Sequence, residues 1–201
     1  MGWREQKKAE TRATLSWAAL QLSVERGFDT IKVEDIARAS GVSPRTFNNY
    51  FSSKGEAIVA RHLDRLLRVA EMLRERPAEP LWDAIAQSLL PQFEPDTAAA
   101  ALPIPDAAQW AAGVRMMLTE PALQGELLRA GAVAEAEIAA AVAERTGTDL
   151  NQDLYPHLVA SLVVAATNTV MAHHLRTNSS VPVERLLADA LARIAAGLPT
   201  P

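Results

Sequence analysis

The 201-residue sequence contains no cysteine, which excludes disulfides, thiolate metal sites and cofactors anchored through Cys, and is compatible with a reducing cytosol. Aromatic residues make up only 5% of the chain and glycine only nine positions. With 49% of residues apolar and Ala, Leu and Glu abundant, this composition favours helices over sheets, and the expected fold class is all-α. The start, Met1-Gly2-Trp3-Arg4, runs straight into charged residues without an apolar segment. No secretory signal is therefore expected, and the expected location is the cytoplasm. Catalytic signatures are scarce as well. His62, His157, His173 and His174 show no metal-ligand spacing with carboxylates, adjacent His173 and His174 point about 100° apart on a helix, and neither a Gly-x-Ser-x-Gly motif nor a phosphate-binding glycine loop is present. The expectation is no metal, no cofactor and no enzymatic activity.

Long uncharged runs are also few. The longest is Leu154 to Leu175, enough residues to raise the question of a membrane span. Pro156, His157, Asn168, His173 and His174 within it are expensive in lipid and ordinary in a buried helix, so a core or dimer helix is the better account. The formal net charge of −4 is unevenly spread: residues 1–54 carry nine Lys/Arg against six Asp/Glu, whereas residues 55–201 carry eleven against eighteen. The basic end suits a polyanion, and the acidic remainder would be repelled by one.

Helical periodicity then organises the chain. A first helix is expected from about Glu10 to Arg26, with Leu15, Ala18, Ala19 and Leu22 on one stripe and Gly27 as its stop. Phe28 and Ile31 would plug the core of a small domain. A two-turn helix follows from Val33 to Ser40 and ends at Gly41, which tolerates the left-handed backbone needed for an immediate turn. Ser43-Pro44 reads as an N-cap followed by proline at the first helical position, starting a helix to about Phe51. Ser53 and Glu56 fit a capping box for a fourth helix to about Arg76, closed by Pro77 and Pro80. Further helices are expected at about 81–93, 107–119, 121–145, 152–176 and 182–196, with Glu94 to Asp106 as a mobile connection. No internal repeat is visible.

Two short helices around Gly41, with small Ala37 where they cross and Phe47 in the core, make a helix-turn-helix. The second helix must leave its outer face free for base edges in the major groove. Arg45, Thr46, Asn48 and Asn49 occupy that face, with Phe47, Tyr50 and Phe51 on the buried side. Arg reads guanine and Asn adenine by paired hydrogen bonds.

Over roughly residues 10 to 60 the chain resembles the TetR family of regulators. The motifs that carry the resemblance are Glu25-Arg26-Gly27-Phe28-Asp29, Val33-Glu34-Asp35-Ile36-Ala37, Gly41-Val42-Ser43 and Thr46-Phe47-Asn48-Asn49-Tyr50-Phe51-Ser52-Ser53-Lys54. It implies that Lys54 contacts phosphate at a helix start, that Tyr50 reaches the DNA backbone or packs, and that Arg45, Thr46, Asn48 and Asn49 read bases. Ser43 at the cap joins this set. Lys7, Lys8 and Arg12 form either an arm touching phosphate or minor groove, or a solvated basic tail. There are departures: Thr46-Phe47-Asn48-Asn49 differs from the family's usual reading residues, and Gly55 stands where acidic residues are frequent, although Glu56 preserves the cap.

The division expected is a DNA-binding domain at 1–54 and a ligand-binding and dimerisation domain at 55–201. The resemblance implies that the last two long helices pair with their copies in a second subunit. Their composition agrees: 152–176 is apolar around most of its circumference, and 182–196 presents Leu186, Leu187, Ala190, Leu191 and Ile194. A two-fold dimer matches a palindromic double-stranded operator. Trp82, Ile85, Leu89, Phe93, Trp110, Val114 and Met117 would line a pocket or simply be core. Asn168, Thr167 and His173, if buried on the apolar helix, need partners in a ligand, an interface or the local backbone. Asn168 is taken as a ligand-binding candidate. Arg115 would meet a ligand anion or a surface ion-pair partner. The later helices loosely resemble actinobacterial TetR-type regulators, some of which respond to acyl-CoA or other lipophiles. A ligand-released repressor is thus expected; the alternatives are a DNA-binding dimer without a small-molecule effector and, remotely, a helical enzyme.

Overall fold

The computed structural model describes residues 2–93 and 107–200. Among them are nine α-helices, a 3₁₀ turn and no strand. The helices are α1 (Trp3–Arg26), α2 (Val33–Ala39), α3 (Pro44–Asn48), α4 (Lys54–Arg74), α5 (Leu81–Leu89) with the 3₁₀ turn Leu90–Phe93, α6 (Ala107–Thr119), α7 (Pro121–Thr146), α8 (Tyr155–Thr177) and α9 (Val183–Ala195). The connection expected at Glu94 to Asp106 lies outside the described residues.

Most helix ends follow from local chemistry. α1 stops where Gly27 takes a φ of 88° and its N–H bonds the Ser23 carbonyl at 2.9 Å. Its beginning differs from the expectation, since the helix starts at Trp3 rather than near Glu10. Residues 3–10 are exposed and carry good helix formers with no apolar stripe, so propensity alone extends the helix and periodicity does not report it. α3 is shorter than expected, ending at Asn48. The amide of Tyr50 bonds the Phe47 carbonyl at 2.9 Å and that of Phe51 bonds it at 3.0 Å, and this tight turn carries the Phe51 ring into the core. At the start of α4, the Glu56 amide donates to Ser53 Oγ at 2.9 Å as expected of a cap. The return half of the box is shifted by one residue, because the Glu56 carboxylate takes the amide and hydroxyl of Ser52, each at 2.7 Å.

The chain forms two compact units, Met1–His62 with Ala99–Arg129, and Leu63–Ala98 with Ala130–Pro201. The compact units therefore do not divide at residue 54. The first unit gathers α1, α2, α3 and the start of α4 with α6 and the first turns of α7. Leu15, Ala19, Ile36, Ala37, Phe47, Phe51, Ile58 and Leu123 are its fully buried centre. Helix α6 lies so close on α1 that a Cβ added to Gly113 would stand 3.0 Å from Leu20 Cδ1. Close helix packing thus draws α6 to the amino-terminal helices, although charge and motif place the sequence boundary before it.

In the second unit α8 packs along α9, and α5 also meets α9. Leu66, Leu73, Ile85, Leu89, Ile138, Val163 and Leu187 are buried in it. Arg74 of α4 pairs with Glu144 at 2.9 Å and Glu137 at 3.7 Å on α7, and the hydrogen bond to Glu144 holds its guanidinium even more firmly protonated. α8 is the single described helix long and apolar enough to cross a membrane, and 44% of that window is buried within the protein. It forms a core wall on one side. Substituting Phe47→Ala is expected to destabilise the protein by about 3–5 kcal/mol through the cavity it leaves, read in urea unfolding as a lower midpoint at unchanged slope.

Candidate nucleic-acid interface

The turn between α2 and α3 is built by the residues that announce it. Gly41 has a φ of 68°, and the amides of Gly41 and Val42 bond the carbonyls of Arg38 at 3.1 Å and Ala37 at 2.9 Å. These satisfy the orphan carbonyls at the end of α2. Ser43 then caps α3, its Oγ accepting from the Thr46 amide at 3.1 Å, with Pro44 in the first turn. The expected cap and proline start are both observed.

On α3 the two faces separate sharply. Phe47 is fully buried and its ring packs against that of Phe51 with centroids 5.6 Å apart. Arg45, Asn48 and Asn49 are exposed, and none makes a side-chain hydrogen bond within the described residues. They leave guanidinium and amide groups free in water, as base-edge recognition requires. Ser43 and Thr46 differ: their hydroxyls share a hydrogen bond of 2.8 Å, so both are first engaged in holding the start of α3. Tyr50 is half-buried in the turn after the helix.

Lys54 has partners that the resemblance did not imply. Its side chain is part-buried and turned inward, donating to the carbonyls of Phe28 at 2.6 Å and Ile31 at 3.0 Å and lying 4.2 Å from the Phe28 ring centroid. The connector after α1 exposes carbonyls without helical partners, and a nearby ammonium satisfies them with charge-assisted bonds. Two of its three N–H donors are thereby committed. The basic residues of α1 stand on helix rather than on a loose arm. Lys7 and Lys8 are exposed, Lys7 lies 5.1 Å from the Trp3 ring centroid, and the Arg12 guanidinium sits 5.2 Å from the Phe51 centroid. Arg12 is thus anchored beside the end of α3. Ser53 and Glu126, outside the expected set, meet at the start of α4 with a hydrogen bond of 2.9 Å.

The candidate ligand residues fall into separate groups. Trp82, Ile85 and Leu89 share one face of α5, with Phe93 in the following turn; Ile85 and Leu89 are fully buried and Trp82 and Phe93 half-buried. Trp110, Val114 and Met117 share a face of α6, where Val114 is buried and the other two half-buried. These sets belong to different compact units. Asn168 does not join either, because it is exposed on α8. Thr167 occupies the buried side next to it and bonds the Val163 carbonyl at 2.9 Å, while His173 is exposed. The helix is apolar on both sides, so the sequence did not mark which side faces inward. A small hollow of about 20 Å³, partly open to solvent, lies between α1 and α6 beside Trp17, Leu20, Gln21, Val24, Glu25 and Gln109. None of those residues was expected from the sequence, and the space is below that of usual ligand pockets.

A capped, short helix with one buried aromatic face and one free Arg/Asn face, in an all-helical chain, defines a DNA-binding transcriptional regulator of the helix-turn-helix class. Residues 17–60 match the family described as bacterial regulatory proteins, tetR family, and residues 79–199 match the MftR C-terminal domain. The chain belongs to the TetR family of transcriptional regulators, which are not enzymes. It is 30% identical over 173 residues to the HTH-type transcriptional regulator TcmR of Streptomyces glaucescens, covering 84% of this chain and 75% of that one. It is 28% identical over 195 residues to MftR of Mycobacterium tuberculosis, a proposed mycofactocin biosynthesis transcriptional regulator, covering 96% and 93%. Among solved structures, the fatty acid degradation regulator FadR of Bacillus halodurans superposes with a TM-score of 0.59 at 16% identity, covering 95% and 97%. A TetR-family regulator from Rhodococcus superposes with a TM-score of 0.55 at 21% identity, covering 95% and 100%. At these identities both show a shared fold.

The inward position of Lys54 separates it from Arg45 in stability. Lys54→Ala is expected to cost about 1.5–3 kcal/mol through its lost charged hydrogen bonds, whereas exposed Arg45→Ala is expected to stay within about 0.5 kcal/mol of the parent. Chemical denaturation of the two variants checks this. Equal stabilities would show that the Lys54 contacts carry no weight.

Proposed function

We propose that the protein is a cytoplasmic, ligand-released repressor that binds a palindromic operator as a homodimer, with residues 1–54 carrying the DNA contacts and 55–201 serving sensing and dimerisation. The observation that carries the DNA-binding part is the free outer face of α3, where Arg45, Asn48 and Asn49 are exposed opposite the buried Phe47. Arg45 and the two asparagines read bases; Tyr50, Lys7, Lys8 and Arg12 supply backbone contacts; Ser43 and Thr46 hold the helix that presents them. Lys54 supports this surface from beneath, with its remaining donor available to phosphate.

Dimerisation through α8 and α9 is supported by the open side of α8. Leu154 and Leu158, at 70% and 49% exposure, continue along that side into Ala165 and Thr169. On α9, Val183, Leu187 and Leu191 are buried, while Leu186, Ala190 and Ile194 are half-buried and available to a second subunit. Such an apolar seam on a surface helix is characteristic of association.

For the effector, the half-buried aromatic side chains of Trp82 on α5 and Phe93 in the following turn suit a lipophilic small molecule. A ligand that prefers the conformation mismatched to DNA lowers operator affinity, and operator lowers ligand affinity by the same factor. A second reading, a DNA-binding dimer without small-molecule effector, draws on the complete burial of Ile85 and Leu89, which behave as core.

Selection of bound duplexes from a random library is expected to yield a two-fold motif with half-sites about one helical turn apart. Asn49→Ala is expected to change the preferred base at one position of each half-site, with discrimination there falling by about 1–3 kcal/mol. Leu158→Glu is expected to convert a dimer into monomer in light scattering and to abolish tight binding to the two-fold site. An acyl-CoA titration of the operator complex separates the two effector readings: release supports the sensor, and unchanged affinity across a panel of lipophiles supports the second.

A further inference from the structure

The start of α4 holds an arrangement that helix capping alone does not require. Ser53 Oγ accepts the Glu56 amide at 2.9 Å and donates to Glu126 Oε1 at 2.9 Å. Glu126 comes from the first turns of α7, its side chain is only 16% exposed, and Arg129 holds its carboxylate at 3.0 Å. Gly55 is buried directly beneath it. A Cβ at residue 55 would stand 3.1 Å from Glu126 Cγ and 3.4 Å from Cδ2 of Leu123, which is itself fully buried. Where the family resemblance led to an acidic residue within α4, this chain has glycine, and the space is occupied by a carboxylate delivered from α7. A negative charge there complements the positive end of the helix from whichever chain segment it arrives.

We propose that Glu126 is a positioning residue for operator binding, tying α7 to the corner between α3 and α4 through Ser53 and the bare Cα of Gly55. The corner is short: Phe51 closes the buried face of α3, Ser52 is bonded to Glu56, and Ser53 caps α4. A shift of the first turns of α7 therefore reaches the α3–α4 corner through the Ser53–Glu126 hydrogen bond and the close packing of Glu126 and Leu123 on Gly55. The consequence is a defined presentation angle for α3, and in a two-fold complex a defined spacing between the two reading helices. The inference rests on the operator-binding reading above.

The test compares the parent with Glu126→Ala, Glu126→Gln and Gly55→Ala. Each is measured by fluorescence anisotropy on the selected operator, on operators with the half-site spacing changed by one base pair, and on a non-specific duplex. The thermal midpoint of each is also recorded. Glu126→Ala is expected to weaken operator binding about tenfold, to flatten the spacing preference, and to leave non-specific binding and its salt dependence unchanged. Glu126→Gln keeps an oxygen that accepts from Ser53 and loses mainly an ion pair to the solvent-exposed Arg129, so it is expected within about threefold of the parent. Gly55→Ala, whose methyl would press on Glu126 Cγ and displace that side chain by a few tenths of an ångström, is expected to shift spacing preference as Glu126→Ala does. An unchanged spacing preference in Glu126→Ala would overturn the proposal, as would a uniform loss on all duplexes accompanied by a lowered midpoint in both Glu126 variants. Failure of the parent itself to select a two-fold site would instead overturn the operator reading.

Discussion

A helix of five residues has no stability of its own, because nucleation costs more than so few hydrogen bonds return. Helix α3 exists because Phe47 is fully buried and packed at a tilt against Phe51, while Ser43 and Pro44 fix its start and Gly41 supplies the turn before it. The same packing decides which side faces water. With one face committed to the core, Arg45, Asn48 and Asn49 have only the solvent side left, and their fork and amide groups stay free of internal partners. The proposed recognition chemistry would then be a by-product of where two phenylalanine rings go.

The cost of holding such a short helix at an angle is met at its far end, where opposite charges are used differently. Lys54 directs its ammonium into the carbonyls of the connector after α1 and across the Phe28 ring, binding α4 to the element that precedes α2. The Glu126 carboxylate approaches the cap from the other direction. Helix α4 thus begins between a cation that secures the helix-turn-helix and an anion belonging to α7. The packing around Gly55 and Gly113 is correspondingly close, since in each case a side chain from another helix occupies the room a Cβ would need.

Features that depend on one residue's backbone or cap were legible in the sequence. Gly27, Gly41 and the Ser43-Pro44 start stand where expected because left-handed backbone and N-capping are local demands. The features missed depend on what lies across from a residue. Trp3 to Ala9 lack an apolar stripe and were read as outside α1, yet nothing in them breaks a helix. The resemblance aims Lys54 at phosphate, and no motif announces its additional carbonyl partners, which are more than twenty residues away in sequence. Glu126 carries no motif at all; the departure at Gly55 was the one available signal, and reading it required knowing that α7 passes there. The grouping of α6 with α1 is likewise set by Gly113 meeting Leu20, a pairing that no window of sequence reveals.

Helix α8 shows the limit of periodicity most clearly. Its inner side carries Val159, Val163, Val170 and Met171, and its outer side carries Leu154, Leu158, Ala165 and Thr169, with Asn168 at the outer margin. Both sides are apolar, so no amphipathic stripe distinguishes core from surface, and Asn168 could not be placed from the pattern alone. The outer side differs in its size profile: after Leu158 it narrows to Ala165, Thr169 and Ala172. Small side chains permit two helices to approach closely, and a flanking Asn whose amide must stay hydrogen-bonded disfavours registers that strand it in an apolar seam. In the proposed dimer, leucines at one end would therefore supply burial, while the small residues and Asn168 would restrict how the two copies cross. In that proposed arrangement the seam would fix how the two copies of α8 cross, a constraint separate from the one the α3–α4 corner would place on α3.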